Sequence, residues 1–259
     1  MSAFKLLFLG TCACDFSPKL RTEFAEKFDD NARRASMMLM NEHFLIDCGP
    51  HCLDSMRIAG IDCSAITDIF VTHLHSDHFD PENIETIALA KTDPLRVWVS
   101  DEAEVPGIRN IQVIRMEKFV SYDIGCGFSV TGVAANHNRD AFPQHLLFEK
   151  QGEKFLYGCD GAWLMNETME FLLNAKLQLL VLDGTCGDYV GDVRMSDHNS
   201  IPMIRLMLPS LKNCGVIDDK TEIYISHLAP SLHKPHAETV EIMKEMNVKV
   251  ACDGLWLSV

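Results

Sequence analysis

Three histidines and an aspartate fall within six residues, His73-Leu74-His75-Ser76-Asp77-His78, directly after an apolar run at 68–72. Neutral imidazole and carboxylate are donors that suit zinc and other first-row divalent ions. In a loop, side chains two residues apart can face the same way. His73 and His75 are therefore placed to grip one ion, while Asp77 and His78 turn towards a second. Four donors at the end of a buried strand make half of a two-metal cage. The remaining donors stand in similar settings further along. His137 follows a strand-like run at 128–134, Asp160 follows one at 154–158, and His227 follows one at 222–226. Together they complete a set of five histidines and two aspartates just beyond the ends of buried runs, where sites in such sheets collect.

The elements that must hold these donors alternate. Hydrophobic periodicity predicts strands at 4–9, 37–40, 43–47, 68–72, 96–99, 128–134, 145–149, 154–158, 178–183, 222–226 and 248–252. Helices are predicted at 50–59, 82–90 with Pro81 at the first turn, 163–174, 200–209 and 236–246. Residues 37–49 (MMLMNEHFLIDCG) read as strand, tight turn, strand, acid and glycine, and residues 146–161 (LLFEKQGEKFLYGCDG) repeat that pattern. The echo predicts two similar halves whose sheets face each other with helices outside. No linker or charge run divides the chain, so residues 1–259 are expected to form a single domain.

Composition narrows the function. The chain has 259 residues, 47% hydrophobic and 23% charged, which excludes a disordered or low-complexity protein. Its net charge of −14 disfavours long nucleic acids, so a single anionic substrate must be met by local positive charge such as bound metal. No uninterrupted apolar stretch reaches the length of a membrane span, and the first apolar run is too short for a signal segment; a soluble, cytoplasmic protein is expected. The ten cysteines include no C-x-x-C pair and read as mostly buried free thiols. Cys12-Ala13-Cys14 is the one spacing that could bind a structural metal. Arg33-Arg34 reads either as a solvated basic pair or as a substrate contact, and His51, His145, His233 and His236 receive no role.

The ordered set His73, His75, Asp77, His78, His137, Asp160 and His227 resembles the metallo-β-lactamase superfamily over nearly the whole chain. That resemblance implies an α/β fold, a four-layer αββα sandwich. It also implies that His73, His75 and His137 hold one ion, that Asp77, His78 and His227 hold another, and that Asp160 bridges both. Asp47, in Leu45-Ile46-Asp47-Cys48-Gly49, becomes an acid that orients a ligand histidine. Within the superfamily the chain is most similar to phosphoribosyl cyclic phosphate phosphodiesterases of phosphonate breakdown. The resemblance lies in Val181-Leu182-Asp183, Ser196-Asp197-His198-Asn199-Ser200, Cys252-Asp253-Gly254-Leu255-Trp256 and Arg33-Arg34-Ala35-Ser36. Asp183 is thereby implied as a second acid behind the ligands. The chain departs from those enzymes in lacking the third cysteine of their C-x-C-x-x-C run.

The expected reaction is hydrolysis of a small, cyclic phosphodiester. Two divalent ions (zinc or manganese, with iron or nickel as further candidates) about 3.5–4 Å apart can share a hydroxide and clamp the phosphate oxygens. Asp77 belongs to that catalytic centre. The expelled alkoxide needs a proton, and His198, just ahead of a helix and outside the ligand set, is expected to assist it; His233 is the alternate donor. The same cage could instead serve a thioester or lactam hydrolase, an iron-dependent oxygenase or an RNA 3′ processing nuclease. The negative charge and the lack of a basic arm rank RNA low. The expected partner is the phosphodiester substrate alone, with no membrane and no long nucleic acid, and the oligomeric state stays open, a homodimer included.

Overall fold

The computed structural model describes residues 2–17 and 26–259. One sheet contains β1 (Lys5–Gly10), β2 (Met37–Met40), β3 (Phe44–Ile46), β4 (Asp68–Phe70), β5 (Leu95–Ser100), β6 (Ile111–Met116) and β14 (Trp256–Ser258), in the order β14-β1-β2-β3-β4-β5-β6. The other contains β7 (Ser121–Gly125), β8 (Phe128–Ala134), β9 (Gln144–Lys150), β10 (Glu153–Gly158), β11 (Leu179–Asp183), β12 (Glu222–Ser226) and β13 (Lys249–Val250), in the order β7-β8-β9-β10-β11-β12-β13. Each sheet runs antiparallel through its first four strands and parallel through the rest. The two echoing sequence segments become the hairpins β2–β3 and β9–β10, which occupy the same place in the two sheets.

Strand alternation separates the layers. In β1, Leu6 and Phe8 face the other sheet while Leu7 and Leu9 face outward; in β10, Phe155 and Tyr157 face inward and Leu156 outward. Aromatic rings meet across the interior: Phe70 with Phe148 at 5.2 Å, Phe44 with Phe128 at 5.7 Å, and Phe4 with Phe155 at 5.9 Å. Burying a side chain of this size contributes about 2–3 kcal/mol. The outer faces are covered by α1 (Cys52–Ala59) and α2 (Pro81–Leu89) on the first sheet. On the second they are covered by α3 (Asn166–Phe171), α4 (Ile201–Asn213) and α5 (His236–Lys244). The layers are αββα, as expected.

Several local readings change. Strands β6, β7 and β14 escaped the sequence pattern because each is a sheet edge with mostly half-exposed or exposed residues, so no apolar run marks it. The fourth helix was expected to stop at Pro209 but continues to Asn213. Proline there removes one backbone donor, and the buried face at Ile201, Ile204, Met207 and Leu211 outweighs that loss. The third helix is shorter than 163–174, since residues 172–174 form turns.

Arg33 and Arg34 are not a solvated pair. Both are buried, with Arg33 Nη1 donating to Thr11 Oγ1 (2.5 Å) and to the Ala251 carbonyl (2.7 Å). Arg34 reaches Asp54 Oδ2 at 3.2 Å, and its backbone N–H donates to Asp253 Oδ2 at 2.8 Å. The two arginines fasten the C-terminal segment to the first sheet. All ten cysteines are free, yet only five are buried. Cys12 and Cys14 gather no third metal donor among the described residues.

Candidate metal centre

Every proposed donor leaves a strand at its C-terminal end, the end of a parallel sheet where ligand sites collect. The histidine-rich loop follows β4, His137 follows β8, Asp160 follows β10 and His227 follows β12. The two sheets present these ends at one rim. A close backbone approach seats the loop: a Cβ on Gly49 would lie 1.9 Å from the Asp77 carbonyl oxygen, so only glycine fits there.

The donors form two groups. In the first, His73 Nε2 lies 2.9 Å and His137 Nε2 3.1 Å from His75 Nδ1, with Asp160 Oδ2 at 3.8 Å from His73 and 3.6 Å from His137. In the second, Asp77 Oδ2 lies 3.4 Å from His78 Nε2 and 3.7 Å from His227 Nε2, and those two nitrogens are 3.1 Å apart. Asp160 Oδ2 also reaches His78 at 3.8 Å and His227 at 3.3 Å. One carboxylate oxygen therefore faces both groups. The structure brings together all seven residues singled out in the sequence.

The donor set fits divalent cations. Imidazole nitrogens that converge to about 3 Å of one another, with carboxylate oxygens beside them, are the donor types that first-row divalent ions take. Burial, helped by the neighbouring imidazoles, keeps His73 well below the usual histidine range, and His75 is lowered for the same reason. Both are thus neutral, as metal ligands must be. Asp160 Oδ1 is buried and faces His198 Nδ1 at 2.6 Å, which leaves Oδ2 to the two donor groups.

Hydrogen bonds behind the donors aim them. His78 Nδ1 donates to Asp47 Oδ2 at 2.8 Å, leaving Nε2 to the centre. Thr72 Oγ1 lies 3.0 Å from His73 Nδ1 and 2.9 Å from both oxygens of Asp47. The second sheet has a matching device. Thr185 Oγ1 accepts from His227 Nδ1 at 2.7 Å and lies 3.0 Å from Asp183 Oδ2 and 3.2 Å from His198 Nδ1. Asp183 Oδ1 accepts from the N–H groups of Thr185 (2.9 Å) and Asn199 (3.0 Å). Asp47 and Asp183 stand where the sequence placed them. Thr72, Thr185 and Asn199 were missed; the only cue for the threonines is a shared place two residues beyond β4 and β11.

His198 lies against the same centre. Its Nδ1 is 2.6 Å from Asp160 Oδ1 and 3.0 Å from Asp183 Oδ2, and its ring stacks on His227 at 5.6 Å. Burial pushes His198 down, but Asp183 and Asp160 outweigh it and push it up to about 12. His227 is likewise held up at about 9, with Asp160 and Asp183 outweighing burial. These directions describe the protein without cations, which would compete for the same carboxylates. The alternate donor His233 is outside the cluster, with Nε2 donating to the Gly184 carbonyl at 2.6 Å.

Comparison with known proteins follows this geometry. The structure aligns with the metallo-β-lactamase fold protein YhfI from Bacillus subtilis at a TM-score of 0.75, covering 100% of both chains at 14% identity. The chain has the metallo-β-lactamase fold. A diphosphatase from the PhnP family aligns at a TM-score of 0.72 and 17% identity, over 99% of this chain and 98% of that one. A family model described as anti-Pycsar protein Apyc1 matches residues 4–92. Ribonuclease Z of Methanothermobacter thermautotrophicus is 31% identical over 100 residues, which are 36% of this chain and 31% of that protein. The match thus spans about a third of that curated relative's length. Among the described residues, no helix is long and apolar enough to cross a membrane.

Proposed function

We propose that the chain is a metal-dependent hydrolase of small phosphodiesters, cyclic phosphates included. The observation that carries this reading is Asp160 Oδ2, which faces four imidazoles from two donor groups, with His198 against its other oxygen. His73, His75 and His137 would hold one divalent ion, Asp77, His78 and His227 the other, and Asp160 both. Zinc and manganese both suit such a set of nitrogen and oxygen donors. When bound, the ions supply an activated water and neutralise the phosphate's charge.

The protein's own groups supply the rest. Asp183 and Asp160 hold His198 through Nδ1, and its Nε2, which has no hydrogen bond among the described residues, is the nitrogen that offers a proton to the leaving oxygen. Thr185 fixes His198 and His227 together. With a net charge of −14, the molecule repels a polynucleotide over most of its surface, whereas a single phosphate needs only the local positive charge of the centre. The family match to an anti-Pycsar protein and the PhnP-family structure are consistent with this class, and the ribonuclease Z match keeps RNA processing as the reading to beat.

The test compares wild type and His198→Ala on an alkyl and an aryl phosphodiester under metal saturation, beside a precursor RNA. The alkyl diester should slow by about 10²–10⁴-fold, the aryl diester by less because its leaving group needs no proton, and metal content should stay the same. RNA should remain uncut. Efficient RNA processing without small-diester turnover overturns the proposal, and equal losses on both diesters remove His198 from the proton-donor role.

A further inference from the structure

The donors proposed for the first ion come from both sheets: His73 and His75 follow β4, and His137 follows β8. The ring centroids of His73 and His137 lie 4.9 Å apart. Because β4 and β8 belong to different sheets, no strand ladder fixes the spacing of these loops. Three hydrogen bonds tie them instead. The Leu74 N–H donates to the Ala141 carbonyl at 3.0 Å, and the Gln144 N–H donates to the Thr72 carbonyl at 2.9 Å. The Gln144 side chain adds the third, with Nε2 donating to the Val71 carbonyl at 2.9 Å. Val71, Thr72 and Leu74 bracket His73, while Ala141 and Gln144 follow His137. Gln144 did not enter the sequence-derived site.

Gln144 is buried, and its Oε1 has no hydrogen-bond partner among the described residues. A buried acceptor left unpaired is destabilising, and an apolar side chain of the same size would avoid that cost. What the amide adds here is the bond to Val71. The neighbouring strand leaves room for it. Gly132 on β8 is a diagonal neighbour of Gln144, and a Cβ there would lie 2.3 Å from Oε1. A different tie joins the sheets beside His227. There Leu228 donates its N–H to the Thr11 carbonyl at 2.8 Å and accepts from the Ala13 N–H at 3.1 Å.

From this we infer that Gln144 is a positioning residue for the first ion: through Val71 it holds the loop of His73 against the loop of His137. Hydrogen bonds behind a ligand set its aim, and this one acts on the backbone that carries the ligand rather than on the imidazole. The role rests on the two-ion reading above and adds that the two ions are held by different ties. Loss of the Gln144 bond therefore reaches the first ion, while His227 keeps its own support from Thr11 and Ala13.

Two substitutions reach the same bond from different strands. Gln144→Met keeps the bulk of the side chain and removes the donor. Gly132→Ala leaves Gln144 in place but makes its amide, the end of a flexible side chain, turn away from the new Cβ. Each is placed in His227→Ala, which disables the second site, and in His75→Ala, which disables the first. Zn²⁺ affinity is read by competition with a chromophoric chelator. Both changes should weaken the ion left in His227→Ala by about 10-fold and leave the ion in His75→Ala unchanged. Equal losses in the two backgrounds, or no loss in either, overturn the inference. Amide hydrogen exchange in metal-free wild type and the two single variants separates this from failure of the two-ion reading. Faster exchange at Leu74 with Leu228 unchanged supports the tie even if no ion is retained; identical exchange at Leu74 in all three proteins overturns it.

Discussion

Thr185 places one hydroxyl against two histidines of the cluster. Its oxygen lies within hydrogen-bond reach of His227 Nδ1, His198 Nδ1 and Asp183 Oδ2. By accepting from His227 Nδ1 it fixes the tautomer whose Nε2 faces the centre. Thr185→Val keeps the shape and removes that acceptor, and should weaken the ion at Asp77, His78 and His227 by about 10–100-fold. Thr185→Ser should restore most of the affinity. Competition against a chromophoric chelator reads both variants, and equal affinity in wild type and Thr185→Val contradicts this role. At this scale the charged and imidazole donors were legible because the six-residue motif is dense and its partners each follow an apolar run. The threonines were not, since an isolated Thr beyond a strand carries no pattern of its own.

His145 on β9 is a different case. It is fully buried, neither ring nitrogen has a hydrogen-bond partner among the described residues, and burial lowers it to about 4. Its folded value thus lies below that of the unfolded chain. Between about pH 6.5 and 4 the unfolded state holds the proton and the native state does not, so stability is lost as pH falls through that window. The contribution is roughly 3 kcal/mol at its limit. In metal-free protein, urea midpoints at about pH 7 and about pH 5 should fall less steeply in His145→Gln than in wild type. Equal slopes would remove His145 as a source of acid sensitivity.

At the scale of elements, the hairpins β2–β3 and β9–β10 were readable because each pairs buried strands around a tight polar turn. The edge strands β6, β7 and β14 were not, because they lack the apolar runs that central strands need. Arg33-Arg34 misled for a related reason: charge in sequence suggests solvent, whereas Asp253 and Asp54 lie far away along the chain and meet the pair only after folding. Asp253→Ala leaves that buried cluster short of an acceptor, with Thr11 and the Arg34 N–H losing their partner. The loss should be about 3–5 kcal/mol, measured by denaturant unfolding. A change below about 1 kcal/mol would mean that the C-terminal segment is held by packing alone.

At the scale of the whole molecule, two sheets of like strand order meet so that the first supplies the histidine-rich loop and the second supplies His137, Asp160 and His227. Neither sheet alone holds a complete donor set, and Asp160 is the side chain that faces both groups. Two facing sheets with helices outside followed from alternation and from the repeated hairpin, and the four-layer αββα sandwich from the resemblance. The most direct test of the account is metal stoichiometry by elemental analysis after saturation with Zn²⁺ or Mn²⁺ and removal of the excess. Wild type should retain two ions per chain, and Asp160→Ala, while still folded by circular dichroism, should retain fewer because both sites lose a ligand. A wild type that never exceeds one ion, together with unchanged metal content in Asp160→Ala, would contradict it.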